Sequence, residues 1–112
     1  MALILPSPLV QLLRDERLDE FNELARQKAP DLENADLRMV DLRKAYLVNA
    51  NLNGAYLRNA DMRGVDLSGA TMAGASLHEA RVSGCYFPPT ISADEISLSV
   101  AIGTRMRVRP GV

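Results

Sequence analysis

Bulky apolar residues recur at every fifth position: Leu32, Leu37, Leu42, Leu47, Leu52, Leu57, Met62, Leu67, Met72, Leu77, Val82 and Phe87. Two positions ahead of each lies a small residue, in the register Pro30, Ala35, Val40, Ala45, Ala50, Ala55, Ala60, Val65, Ala70, Ala75, Ala80 and Cys85. Gly54, Gly64, Gly69, Gly74 and Gly84 fall two positions after a bulky residue, a register shared with Asn34, Asn49 and Asn59. These residue types turn a backbone at low cost. A period of five smears around a helix and switches faces in a flat strand, so the chain has to bend once per unit. Within a unit the small, polar and bulky residues point in, out and in, and two further residues make the turn. Four bends of about a right angle close a coil of about twenty residues, and coils stack by backbone hydrogen bonding at about 4.8 Å. Residues 30–89 then form an all-β solenoid of about three coils, its interior filled by the bulky ladders up to Phe87.

The units Ala35-Asp36-Leu37, Ala50-Asn51-Leu52 and Ala60-Asp61-Met62 share one unbroken register. This pattern resembles the pentapeptide-repeat family, whose units read Ala-(Asp/Asn)-Leu-x-x. The resemblance implies a right-handed quadrilateral β-helix, and the handedness rests on it alone. Pro30, Val40, Val65 and Cys85 depart from the family's small inward residue.

Bare end coils would template pairing with other chains, so the flanks are expected to act as caps. Residues 1–29 form an N-terminal helical cap, as one helix or two short ones. Ser7 and Pro8 suit an N-cap and first helical position, followed by Leu9, Leu13, Leu18, Phe21, Leu24 and Ala25 among charges. Residues 90–112 form a C-terminal cap and basic tail. Ser92 with Glu95 resembles a capping box for a helix ending at Gly103, although the alternation of Leu98, Val100 and Ile102 allows a strand. Arg105, Arg107 and Arg109 alternate with Met106 and Val108, as an extended arm or a closing strand. The opening Met-Ala-Leu-Ile-Leu has no Lys or Arg ahead of it and is broken by Pro6 and Pro8, so no signal peptide is expected. No apolar run approaches the roughly 20 residues that cross a bilayer.

The 13 basic and 14 acidic residues nearly cancel, which argues against a dedicated polyanion binder. One cysteine and one histidine give neither an intramolecular disulfide nor a zinc site, and a reducing cytoplasm is the expected setting. No cofactor is expected. His78 follows its bulky neighbour directly and is expected to be exposed and inert, whereas Cys85 is expected inside, behaving as a small hydrophobe. With a filled interior and no convergent nucleophile, base or metal ligand, a catalyst is not expected.

Residues twenty apart stack, so Arg38, Arg58 and His78 share one outward column, and Arg43 and Arg63 share the next, with Lys44 beside them. Asp36, Asp41 and Asp61 each stand two residues before one of these arginines and favour mutual neutralisation on a solvated face. Tyr46, Tyr56 and Tyr86 also point outward, and tyrosine with arginine is the composition of binding hot spots. The resulting expectation is a non-enzymatic scaffold or interaction module. It would bind an unidentified protein partner through Arg38, Arg43, Arg58, Arg63, Tyr46 and Tyr56. A further reading is self-association through an incompletely capped end coil or the apolar segment from Ile96 to Ile102. Some members of the family mimic duplex DNA and shield type II topoisomerases. That alternative is opposed here by a stack of about 15 Å and by near-balanced charge in the repeats. A third reading has the Arg105, Arg107 and Arg109 tail touch nucleic acid or an anionic membrane.

Overall fold

A computed structural model describes residues 7–109 of the 112-residue chain. The opening Met-Ala-Leu-Ile-Leu-Pro, and with it the expectation about a signal peptide, lies outside the described residues, as does the final Pro-Gly-Val. Among the described residues three helices form: α1 (Pro8–Arg14), α2 (Leu18–Gln27) and α3 (Ala93–Ile102). The N-terminal flank therefore takes the two-helix form. The break is local: Glu16 adopts φ 59°, Glu16 N–H donates to Leu13 C=O and Arg17 N–H to Leu12 C=O, which is a Schellman closure. Ser7 precedes Pro8 in extended geometry, but its side chain makes no capping bond.

Between α2 and α3 the backbone passes itself every twenty residues. Parallel bridges link Asp31, Asn51 and Thr71 in one column, Asp36, Tyr56 and Ser76 in a second, and Asp41, Asp61 and Arg81 in a third. Asp66 and Tyr86 make a fourth. In a typical bridge Asn51 N–H donates to Pro30 C=O at 2.9 Å and Leu32 N–H to Asn51 C=O at 2.8 Å. Every bridge is a single residue long, and no continuous strand forms among the described residues. The expectation of β-strands is corrected to that extent. The straight part of each unit is only the in-out-in triplet, of which the middle residue alone presents both peptide groups to the neighbouring pass.

The corners are β-turns, in which the small residue's N–H donates to the bulky residue three positions earlier, as from Ala60 to Leu57 at 3.0 Å. Asn34, Met39, Gly54, Asn59, Gly64, Gly74, Glu79 and Gly84 have φ between 55° and 76°, the type II geometry. Their N–H groups lie along the stack, so that Asn34 donates to Asn53 C=O at 2.8 Å and Asn59 to His78 C=O at 2.9 Å. Lys44 has no positive φ whereas Gly64 in the next pass does, so the central peptides of these stacked corners face differently. The bridge that would follow, between Tyr46 and Asp66, is missing from the ladder.

The bulky ladder from Leu32 to Leu77 is at most 1% exposed, and Leu13, Phe21, Ile91 and Met106 from the flanks join the same core. Val82, Cys85 and Phe87 are only partly buried, which corrects the expectation of an interior filled to Phe87. The third pass has no fourth above it, and the C-terminal segment bonds mainly to residues 74–79. There, Gly74 N–H donates to Met106 C=O, Met106 N–H to Ala75 C=O, Glu79 N–H to Val100 C=O, and Arg105 bridges Ser76 antiparallel. The tail thus closes the third pass along one side.

Both ends use side chains where a further pass would supply peptides. On α2, Asn22 Nδ2 donates to Lys44 C=O at 2.9 Å and Asn22 Oδ1 accepts from Tyr46 N–H at 2.7 Å. On α3, the buried Ser99 Oγ accepts from Leu77 N–H at 2.8 Å and donates to Thr104 C=O at 2.7 Å. The helix form of this flank is fixed at both termini: Ser92 Oγ accepts from Glu95 N–H at 3.2 Å, and Gly103 closes the helix with φ 79°.

Candidate functional site

The repeat unit itself orders the outer surface. The middle residue of a unit, when Asp or Asn, accepts with its side chain from the backbone N–H two residues on, as Asp31 does from Glu33, Asn51 from Asn53 and Asp66 from Ser68. This Asx-type closure braces the entry to the corner in those units and gives a physical reason for the Asp/Asn register. Where an arginine follows, the same carboxylate also takes its guanidinium in two bonds. Asp36 holds Arg38 at 2.7 and 2.8 Å, Asp41 holds Arg43 at 3.0 and 2.8 Å, and Asp61 holds Arg63 at 2.9 and 2.7 Å. Arg43 also reaches Asp61 in the next pass at 3.4 Å. The charge-assisted bonds from Arg38 and Arg63 hold the Asp36 and Asp61 carboxyls at about 2.

Arg58 departs from this scheme because its unit reads Tyr56-Leu57-Arg58, with a phenol where the others carry a carboxylate. Among the described residues it has neither an ion pair nor a side-chain hydrogen bond. The Tyr56 hydroxyl instead accepts from Arg105 Nη2 at 2.9 Å, with the Arg105 guanidinium 5.1 Å from the ring centre. Arg26 lies 5.6 Å from the Tyr46 ring centre in the same manner. Tyr46 and Tyr56 are each 40% exposed, while Tyr86 is 68% exposed. The six residues expected to meet a partner therefore do not form one patch of equivalent groups. Arg43 and Arg63 are committed to Asp41 and Asp61, two of the three tyrosines are roofed by arginines of the flanks, and Arg58 is left with its donors open.

Arg14, Asp36, Arg38, Met39, Arg58 and Asn59 line an open recess of about 530 Å³. Arg38 and Arg58 are shared with a second recess of about 410 Å³ that runs past Tyr56 and Ser76 to His78, Ile102 and Gly103. Together they make a shallow groove along the stack from α1 to the end of α3. Arg14 joins it by donating to Asp36 C=O at 2.8 Å and pairing with the Asp36 carboxylate at 3.2 Å. Met39, 77% exposed, and Ile102, 65% exposed, stand at its two ends.

His78 is not the exposed side chain expected from its position after Leu77. Its side chain is 29% exposed, Nδ1 is buried without a hydrogen-bond partner among the described residues, and Nε2 lies 3.5 Å from Glu79. The reason is α3, whose closing Gly103 packs so near that a Cβ there would lie 3.2 Å from the imidazole. Cys85 is partly buried, and burial, with the Asp66 charge second, pushes its thiol up to about 11. Of the tail arginines, Arg105 is tied to Gly74 C=O and Tyr56, and Arg107 holds Glu95 in two bonds of 3.1 and 2.7 Å. Sequence reasoning gave no warning of the parts played by Asn22, Ser99, Arg14 and Met39, because none belongs to the repeat's outward arginine or tyrosine set. Among the described residues no group of His, Cys, Asp and Glu side chains could hold a metal ion, and no helix is long and apolar enough to cross a membrane.

A family model for pentapeptide repeats matches the chain in eight copies, over residues 31–64 and 50–87. No curated protein matches it.

Proposed function

The chain belongs to the pentapeptide-repeat family, and on that premise we propose that it is a non-enzymatic interaction module whose outer face engages another protein. Repeats of this family form a β-helix, and its members commonly act as interaction modules. We read the three passes as the right-handed quadrilateral form of that helix, with α1 and α2 as one cap and α3 with the tail as the other. The observation that carries the functional reading is the contrast between inside and outside. The interior from Leu32 to Leu77 is filled with aliphatic side chains, so accessible polar chemistry is confined to the surface. On that surface Arg38 and Arg58 border one groove. A DNA-mimic role is less well supported, since Asp36, Asp41 and Asp61 are each neutralised by an arginine where a mimic needs free acidic charge.

The test is capture of the tagged native protein from its own cells after brief crosslinking, with quantification of what accompanies it. One protein recovered near stoichiometry, and lost from an Arg38→Ala, Arg58→Ala variant that melts normally, supports the reading. Recovery of no enriched protein, or turnover in a hydrolase or transferase screen, refutes it.

A further inference from the structure

We infer that the groove along the Arg38 and Arg58 corner docks a short acidic peptide segment, carried by the partner protein and lying extended along the stack. The inference rests on the interaction-module reading and names the chemistry of its partner. Charge decides the class of occupant. The groove presents three guanidiniums, from Arg14, Arg38 and Arg58, against the single carboxylate of Asp36. Arg14 and Arg38 share that carboxylate, whereas Arg58 has no partner among the described residues, so an incoming carboxylate finds a planar two-pronged donor without first displacing anything.

Shape and polarity narrow the occupant further. Met39 belongs to the first pass and Ile102 to the helix that stands on the third, where Glu79 N–H donates to Val100 C=O, so the two exposed apolar side chains at the groove's ends are separated by about three pass spacings, or about 14 Å. Four or five residues of extended peptide at about 3.3 Å each cover that distance. A segment with acidic residues in the middle and an apolar residue at each end meets both features: its carboxylates reach Arg58 and Arg38 while its ends cover Met39 and Ile102. A nucleic-acid strand fits less well, because its evenly spaced phosphates would meet Asp36 within the groove and bare apolar side chains at both ends.

The probe is a fluorescein-labelled peptide Leu-Glu-Asp-Glu-Leu, titrated with the full-length protein at low ionic strength and followed by fluorescence polarisation. Saturable binding is expected, and it should be lost for the neutral peptide Leu-Gln-Asn-Gln-Leu. Arg58→Ala should weaken it by about tenfold, and Ile102→Ser by about threefold to tenfold. Arg63→Ala removes a guanidinium already committed to Asp61 and should leave binding within about twofold. Thermal melts establish that each variant is folded. The inference is overturned by no saturable binding to the native protein, by equal binding of the neutral peptide, or by an equal loss in Arg63→Ala. Tighter binding of a single-stranded oligonucleotide than of the acidic peptide overturns it as well. Should the peptide fail while a stoichiometric protein is still recovered from cells, the groove is refuted and the interaction-module reading stands.

Discussion

The Asn22 amide pairs with the backbone at Tyr46 as a neighbouring peptide would, accepting from the Tyr46 N–H at 2.7 Å while donating to the carbonyl of Lys44 at 2.9 Å. One side chain thereby stands in for the pass of chain that the first pass lacks on this side. Asn22→Ala should destabilise the protein by about 1 kcal/mol in urea titration. Asn22→Asp should do no better than alanine, because it keeps the acceptor but turns a carboxylate toward the Lys44 carbonyl. Native stability in the aspartate variant would show that only the bond to Tyr46 matters.

Ser99 plays the matching part at the other end, and it is fully buried. Ser99→Ala leaves the Leu77 N–H and the Thr104 carbonyl without this partner, and should cost about 2 kcal/mol. Hydrogen exchange at the Leu77 amide should quicken more than at Leu57, whose N–H is held by Ser76 C=O. Equal protection of both amides in the variant would refute the assignment.

Two glycines separate conformational cost from steric cost. Gly64 has φ 74° and nothing within 4 Å of where a Cβ would sit, so Gly64→Ala carries backbone strain alone, about 1 kcal/mol. Gly69 has no positive φ, but its Cβ would lie 2.7 Å from the Val48 carbonyl oxygen and 2.6 Å from Asn49 Oδ1. Gly69→Ala should therefore cost more, about 2 kcal/mol, because a backbone atom has to move. The reverse order in chemical denaturation would contradict this corner geometry.

Acid should loosen the protein in a defined window. The bonds from Arg107 hold the Glu95 carboxyl at about 2 against an ordinary value of 4.5, and Asp36 and Asp61 lie at about 2 against 3.8. A carboxyl lowered on folding adds stability above its unfolded pKa, and that stability disappears as pH falls toward the folded value. The melting temperature is expected to decline from about pH 4.5 toward pH 2, less steeply in Glu95→Gln. A Glu95→Gln profile parallel to the native one would exclude the Glu95 and Arg107 pair as a contributor.

Cys85 should be a sluggish nucleophile. With its thiol pushed up to about 11, about one molecule in a thousand carries the thiolate at pH 8. Labelling by a disulfide reagent should accelerate about tenfold per pH unit between pH 8 and 10. Rapid labelling at neutral pH would mean that the side chain is more accessible than its partly buried position allows.

The register of the repeat was legible because each inward position carries its own signature, aliphatic at Leu32 through Leu77 and small at Ala35 through Ala80. Helix α3 was legible for a local reason, since Ser92, Glu95 and Gly103 supply its start and stop within one short segment. The alternation of Leu98, Val100 and Ile102, which allowed a strand, was overridden by those caps. What the sequence concealed depends on contacts between distant segments. Nothing in Leu77-His78-Glu79 announces that Gly103 will cover the imidazole, and nothing in Tyr56-Leu57-Arg58 alone shows that Arg105 will take the phenol. The different kinds of corner at Lys44 and Gly64 were also hidden, because a lysine carries no turn preference strong enough to reveal how its peptide faces.

The closures at Asn22 and Ser99 touch only the first and last passes, while the middle pass bridges to both through the same columns. Length is therefore a quantised property of this chain. Duplication of one whole pass moves the two ends apart by about 4.8 Å and leaves each seated on its own partners, whereas duplication of a single unit carries the upper end round by about a right angle, away from the faces it closes. The molecule is a ruler graduated in passes, and the spacing between Met39 and Ile102 is the reading to which it is set.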